Sequence, residues 1–418
     1  MDRPLTVNLQ SMRVDLVGSL LRPDSLKDAF VKYGAGTVNE SELKKAQDDA
    51  IRAVVAKQAA RDLPVVVDGE FRRTSFMESF SVVAGVEEWQ AGVKSYHEVL
   101  KRSDRDETVT HKGQDPILLN RKRVTQKLKL VRNSLLDDFR FTQSLTDRPV
   151  KVTLIGPDRI QQCYDADSSR GVYPSTAEFL RDVVIVERQI IEQLSQAGCR
   201  YIGIDAPGYT AYVDPDSLAA IRSRGEDPME VMERSINADN EIIAGIPETI
   251  FGIHICRGNR QSLRHREGHY DAIAERLFAG LQHSRLLLEY DTERAGSFEP
   301  LRFVPKGKIA VLGLITRKSA GWKASTSCGD ESTKQLTIYP SNSSPSVRNA
   351  VSPRACAETC SVKTNSSASW RSCSKWREKS GTERASLRPS SPSIGHSLGH
   401  FLSRRSASWR TKYMPGCW

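Results

Sequence analysis

The sequence predicts an α/β fold, specifically a TIM (β/α)8-type barrel, and three observations predict it. Short apolar runs alternate with longer stretches of helical period, the order that builds a parallel sheet. Polar and ionisable residues stand at the carboxyl ends of several runs, where a barrel of this type gathers its chemistry. No G-x-G-x-x-G turn is present, and acids leaving so many different strands would not meet at the single switch point of a doubly wound open sheet.

In chain order, Arg13-Val14-Asp15-Leu16-Val17 is a short apolar run closed by the Gly18-Ser19 turn, and a helix starts at Asp24 after Arg22-Pro23. A long amphipathic helix over 39–62 carries Ala46, Ala50, Ile51, Val54 and Val55 at helical spacing. Pro64-Val65-Val66-Val67 reads as a strand, with Asp68-Gly69-Glu70 as its turn and a carboxylate just beyond. Residues 81–129 read as strands with a polar excursion, and 135–145 as a helix. The run 151–155, broken by Gly156-Pro157, is the next strand, followed by a helix over 176–197 with a broad apolar stripe. Then come a strand at 201–205, helices over 216–224 and 228–244, a strand at 249–255, a helix over 271–280, and strands at 285–289 and 308–315. Seven strands are therefore predicted, near 14, 64, 151, 201, 250, 285 and 309.

Composition divides the chain. Of 418 residues 39% are hydrophobic and 27% charged, ordinary for a globular protein with a sizeable core. No apolar leader follows Met1-Asp2-Arg3 and no run of about 18 apolar residues occurs, so a cytoplasmic location without membrane spanning is expected. After Lys318 there are 15 Lys and Arg against 5 Asp and Glu, which accounts for the whole net charge of +10. Five of the eight Cys and five of the six Trp lie there too, amid abundant Ser. Two parts follow, 1–318 as the barrel and 319–418 as a basic, Ser-rich tail expected to be disordered. The body has no basic excess and the chain no RNA motif, so nucleic acid is not an expected partner.

The chemistry concentrates at His254-Ile255-Cys256. Alternate residues of a strand face the same way, so the imidazole and the thiol share a face, and Glu289 ends a neighbouring predicted strand. Imidazole, thiolate and carboxylate are ligands that zinc accepts together. A buried His or Cys is more often plain core. Likewise Glu70 and Asp205 can equally cap the turn or helix after their strands. Arg72 and Arg73 read as surface, Gly156-Pro157 as a turn or a ligand loop, Gly258-Asn259 as turn chemistry, and His265, His269 and His283 as solvated helix surface.

At these residues the chain resembles a family. Val17-Gly18-Ser19, Asp68-Gly69-Glu70-Phe71-Arg72-Arg73, Ile204-Asp205-x-Pro207, His254-x-Cys256-Arg257-Gly258-Asn259, Leu288-Glu289-Tyr290-Asp291 and Val311-Leu312-Gly313-Leu314-Ile315-Thr316-x-Lys318-Ser319 are similar to the C-terminal catalytic barrel of cobalamin-independent methionine synthase. The similarity is closer to its single-barrel, 5-methyltetrahydropteroyltriglutamate–homocysteine methyltransferase-like relatives. The six blocks keep the family's order across residues 13–319. The resemblance implies Zn2+ on His254, Cys256 and Glu289, and an amino-acid site for homocysteine at Gly18, Ser19, Glu70 and Asp205. It also implies a methyltetrahydrofolate donor whose polyglutamate tail meets Lys and Arg at the barrel mouth. A zinc alkyltransferase acting on another thiol, of the coenzyme M and epoxide type, shares the metal half of such a site. An inactive product with a tail that binds nucleic acid is the non-enzymatic alternative.

The chain departs from the family at its end. There an eighth strand carries Ser-Pro-x-Cys-Gly, whose cysteine is a further metal ligand, and a last helix closes the ring. After Ser319 no apolar run of that length occurs, and Val351-Ser352-Pro353-Arg354-Ala355-Cys356 echoes the motif with altered spacing. The expectation is a barrel missing its eighth strand and last helix, with Cys356 the candidate fourth ligand and the tail read in another frame. Alternative frames of the gene would then restore a strand ending in Pro-x-Cys-Gly. Cys356-x3-Cys360 and His396-x3-His400 lie too far apart for a zinc finger.

Overall fold

The computed structural model describes residues 8–80, 82–86, 121–258, 266–291 and 295–314. The expectations for the tail, including Cys356 and the eighth strand, lie outside these residues, as do Asn259 and His265.

Among the described residues five parallel strands make the sheet: β3 (Lys151–Ile155), β4 (Tyr201–Asp205), β5 (Ile250–Ile255), β6 (Arg285–Glu289) and β7 (Ile309–Gly313). They pair in sequence order, each with the next, as strand–crossover–strand units require. β3, β4 and β6 are buried throughout, which is why they read as continuous apolar runs rather than alternating ones. The predicted strand at 64 contributes one parallel bridge, Val66 to Val150, with Val66 N donating to Pro149 O and Lys151 N donating to Val66 O. It lies beside β3. The excursion over 81–129 supplies only β1 (Val83–Ala84) and β2 (Lys129–Leu130), an antiparallel pair, within its described part.

Among the described residues the predicted strand near residue 14 forms no ladder, and side chains from the sheet take up its polar groups. Lys151, Tyr201 and Arg285, the first residues of β3, β4 and β6, all reach the carboxylate of Asp15. Arg285 Nη2 also donates to Met12 O at 2.6 Å, and Lys151 Nζ donates to Leu16 O. All four ionisable side chains are buried, and the Lys151 and Arg285 cations share the one Asp15 carboxylate inside the layer.

The helices begin where their caps predict. α1 (Asp24–Gly34) follows Pro23, and α2 (Glu40–Ala59) opens with a capping box between Asn39 and Glu42. α3 (Ser134–Gln143), α4 (Pro157–Cys163), the short α5 (Ala166–Ser169) and α6 (Thr176–Gln196) follow, the last capped by Ser175. α7 (Pro215–Ser223) and α8 (Pro228–Glu241) each pair an Asp cap with Pro at the first helical position. α9 (Ala274–Gly280) precedes β6. No described helix is long and apolar enough to cross a membrane.

His283 departs from expectation. It is fully buried between α9 and β6, and neither ring nitrogen has a hydrogen-bond partner among the described residues. Leu281 before it and Arg285 after it both point inward, so the local polarity of Gln282 and Ser284 misleads.

Candidate active site

The carboxyl ends of the strands bring four of the sequence-predicted residues together. Asp205 closes β4 and pairs in register with His254 of β5. Its Oδ1 lies 2.9 Å from His254 Nδ1. An ionised carboxylate only accepts, so this contact puts the imidazole proton on Nδ1 and leaves the Nε2 lone pair to face outward from the pair. His254 is partly exposed while Asp205 is buried.

Glu70 arrives from the segment that lies beside β3. Gly69 and Glu70 both have positive φ, at 75° and 60°, and the turn is held by Glu70 N donating to Asp68 Oδ1 at 2.9 Å. Glycine takes that conformation freely and glutamate does not, so the strain at Glu70 is held by its surroundings. Thr153 Oγ1 donates to Glu70 Oε1 at 2.8 Å, and Arg73 Nη2 lies 3.7 Å from the same oxygen. Glu70 Oε2 accepts no hydrogen bond among the described residues, nor does Asp205 Oδ2. Burial raises the Glu70 carboxyl above its usual range; Arg73 opposes that, and the nearby Asp205 charge adds to it.

Gly18 packs directly on this group. A Cβ there would lie 2.5 Å from Thr153 Cγ2 and 3.0 Å from Glu70 Oε1. Leu20 N donates to Gly69 O at 3.1 Å, tying the Gly18-Ser19 turn to the Glu70 turn. Ser19 is exposed beside it.

The metal half is arranged differently from a closed ligand shell. Ile255 pairs with Leu288, so one further step of the register sets Cys256 beside Glu289. Cys256 is half-buried and forms no disulfide among the described residues. Glu289 Oε2, however, accepts from the backbone N of Arg257 at 2.6 Å. Among the described residues no three His, Cys, Asp or Glu side chains stand close enough to share an ion. The donor types themselves suit zinc, and an imidazole steadied by a carboxylate on its other nitrogen is how metal-binding histidines are commonly held.

Several residues here were not expected. Arg73 is buried, with Nη1 donating to Thr153 O and Nη2 to Thr153 Oγ1, both at 3.1 Å. Arg72 pairs with Asp48 and Asp138 and covers the Phe141 ring. Neither arginine is surface. Arg257 is fully buried, donating to Gly268 O from Nε and Nη2 at 2.9 and 2.8 Å and lying over Tyr270. A lone hydroxyl in the apolar run of β3 was the available signal for Thr153. Gly156-Pro157 is the turn that opens α4, and Gly258, at φ 79°, is turn chemistry as expected.

The comparisons with known proteins bear on the same residues. The family described as "Cobalamin-independent synthase, Catalytic domain" matches residues 14–261. The chain belongs to the cobalamin-independent methionine synthase family. It is a methyltransferase-like enzyme of that family, with an α/β fold and a parallel sheet. Two Bacillus subtilis members, the uncharacterized proteins YxjH and YxjG, are 31% and 32% identical, each over 73% of this chain and 78% of its own. A methionine synthase of Sulfolobus acidocaldarius is 29% identical over 62% of this chain and 64% of its own. Among solved structures, a candidate vitamin-B12-independent methionine synthase from Listeria monocytogenes aligns with a TM-score of 0.57 at 25% identity, covering 77% of this chain and 86% of that one.

Proposed function

We propose that this family member moves a methyl group from 5-methyltetrahydrofolate or its polyglutamates to the thiol of homocysteine, giving methionine. The observation that carries the reading is the pair of buried carboxylates, Glu70 and Asp205, each with one oxygen unengaged and with His254 alongside. The Asp205 charge adds to the raised proton affinity of Glu70, a cation between the two acids relieves it, and the ammonium of an amino acid is such a cation. The backbone of Gly18 and the Ser19 hydroxyl would take its carboxylate.

His254 Nε2, Cys256 and Glu289 would hold zinc, with Cys356 the remaining candidate ligand. When bound, zinc makes a coordinated thiol a thiolate at neutral pH, which a free thiol of pKa about 8.5 is not. Asp205 keeps the His254 proton on Nδ1, and Glu70 and Asp205 would hold the amino group of the substrate. In the same reading residues 1–318 form a (β/α)8-type barrel, residues 319–418 are a separate tail, and the enzyme works in the cytoplasm. Transfer to coenzyme M would need the metal half alone; the two carboxylates favour an amino-bearing thiol.

The test is methionine formation by the full chain from homocysteine and 5-methyltetrahydrofolate, abolished by a chelator and restored by zinc. Equal turnover of coenzyme M, or activity indifferent to the chelator, would overturn the reading.

A further inference from the structure

Thr153 occupies a position that its strand does not require. β3 reads Lys151-Val152-Thr153-Leu154-Ile155 and is buried along its whole length, so a hydroxyl at its centre needs a partner. It has two. Thr153 Oγ1 donates to Glu70 Oε1 at 2.8 Å and accepts from Arg73 Nη2 at 3.1 Å. Its backbone O takes Arg73 Nη1 at 3.1 Å. The Thr153 methyl faces Gly18 and Gly203, each of which lacks the Cβ that would crowd it.

Every face of this side chain is therefore used, and the result is directional. Oε1 of Glu70 is pinned by Thr153 and approached by Arg73 at 3.7 Å, so the free acceptor is Oε2. Arg73 alone would not choose between the two oxygens, since at 3.7 Å it attracts the carboxylate as a charge rather than through a directed bond. Without the hydroxyl the arginine would be free to close on Glu70 as an ordinary ion pair and neutralise it. Thr153 shares itself between the two and keeps them apart.

We propose that Thr153 is a positioning residue that selects for a substrate amino group: its hydroxyl fixes Glu70 so that Oε2 stays open, together with Asp205, to an ammonium. The inference rests on the proposed amino-acid site and deepens it. It concerns recognition of the amino group only, so it is tested without the metal or the methyl donor.

Binding of L-methionine and of 4-(methylthio)butanoate, which lacks the amino group, is measured by calorimetry on the full chain. The variants are Thr153→Val, of nearly the same shape, and Thr153→Ser, which keeps the hydroxyl. Loss of a hydrogen bond to a charged group weakens binding by roughly tenfold to a hundredfold. Thr153→Val is expected to weaken methionine by that factor and leave the deaminated analogue within about twofold, while Thr153→Ser restores methionine binding. Equal weakening of both ligands, or no recovery with Ser, would show a purely structural role and overturn the proposal. If the unsubstituted protein itself fails to prefer methionine, the amino-acid site falls, and the assignment of Thr153 with it.

Discussion

Asp205 and His254 face each other across adjacent parallel strands, with Oδ1 of one 2.9 Å from Nδ1 of the other. A strand-end acid thus does two things at once: it fixes the imidazole tautomer and presents its second oxygen to the site. Asp205→Asn keeps the shape but can place an amide donor against Nδ1. Zinc affinity, read by competition with a chromophoric chelator, is expected to fall about tenfold to a hundredfold. Unchanged affinity would remove His254 from the ligand set.

Gly18→Ala tests the packing of the turn on Glu70. The added Cβ would stand 2.5 Å from Thr153 Cγ2, in backbone with φ 152°. Overpacking of this kind costs about 1–3 kcal/mol. Urea titration should show the loss, and calorimetry should show weaker methionine binding. A variant of full stability and affinity would mean that the turn is not held where it is described.

Arg285→Met should be more damaging than its distance from the site suggests. It removes a buried partner of Asp15, whose Oδ2 it meets at 2.8 Å, and strips donors from Leu9 O and Met12 O. Breaking a buried ion pair from one side costs about 3–5 kcal/mol. Adding Asp15→Leu to the same variant should deepen that loss, because buried Lys151 then loses the carboxylate it meets at 3.1 Å, as urea titration of the double variant would read.

Acid should destabilise the protein through His283. Burial lowers its pKa from 6.5 to about 3, with the Lys308 charge adding to the shift. The unfolded chain therefore binds a proton that the fold refuses as pH falls below about 6.5, and stability is lost down to about pH 3. The span corresponds to about 5 kcal/mol at most. His283→Leu should flatten the dependence of the urea midpoint on pH between 6.5 and 4; an unchanged slope would assign acid sensitivity to other groups.

Much of this was legible in the residue pattern. β3, β4 and β6 announced themselves because strands covered on both faces read as continuous apolar runs. Glu70, Asp205 and His254 stood out as polar residues at the ends of such runs, and the register does bring Asp205 and His254 together. The segment around Asp15 was misread because its apolar alternation serves packing, while its polar groups are claimed by side chains more than a hundred residues away. Arg73 and Thr153 were missed or misread for a related reason. An arginine after a turn resembles surface, and only the partner strand shows that it is enclosed. The arrangement of Cys256 and Glu289 depends on a contact with the Arg257 backbone, which no side-chain pattern encodes.

The bond from Arg285 to Asp15 joins positions 270 residues apart. At translation rates of about 5–20 residues per second, roughly a quarter to one minute separates the synthesis of the two partners. Until the later one emerges from the ribosome, the earlier segment has an acid with no guanidinium to receive it, so it cannot settle into its final place on the nascent polypeptide. Completion of this end of the sheet therefore comes late in the growth of the chain, which is in the meantime a natural client for chaperones.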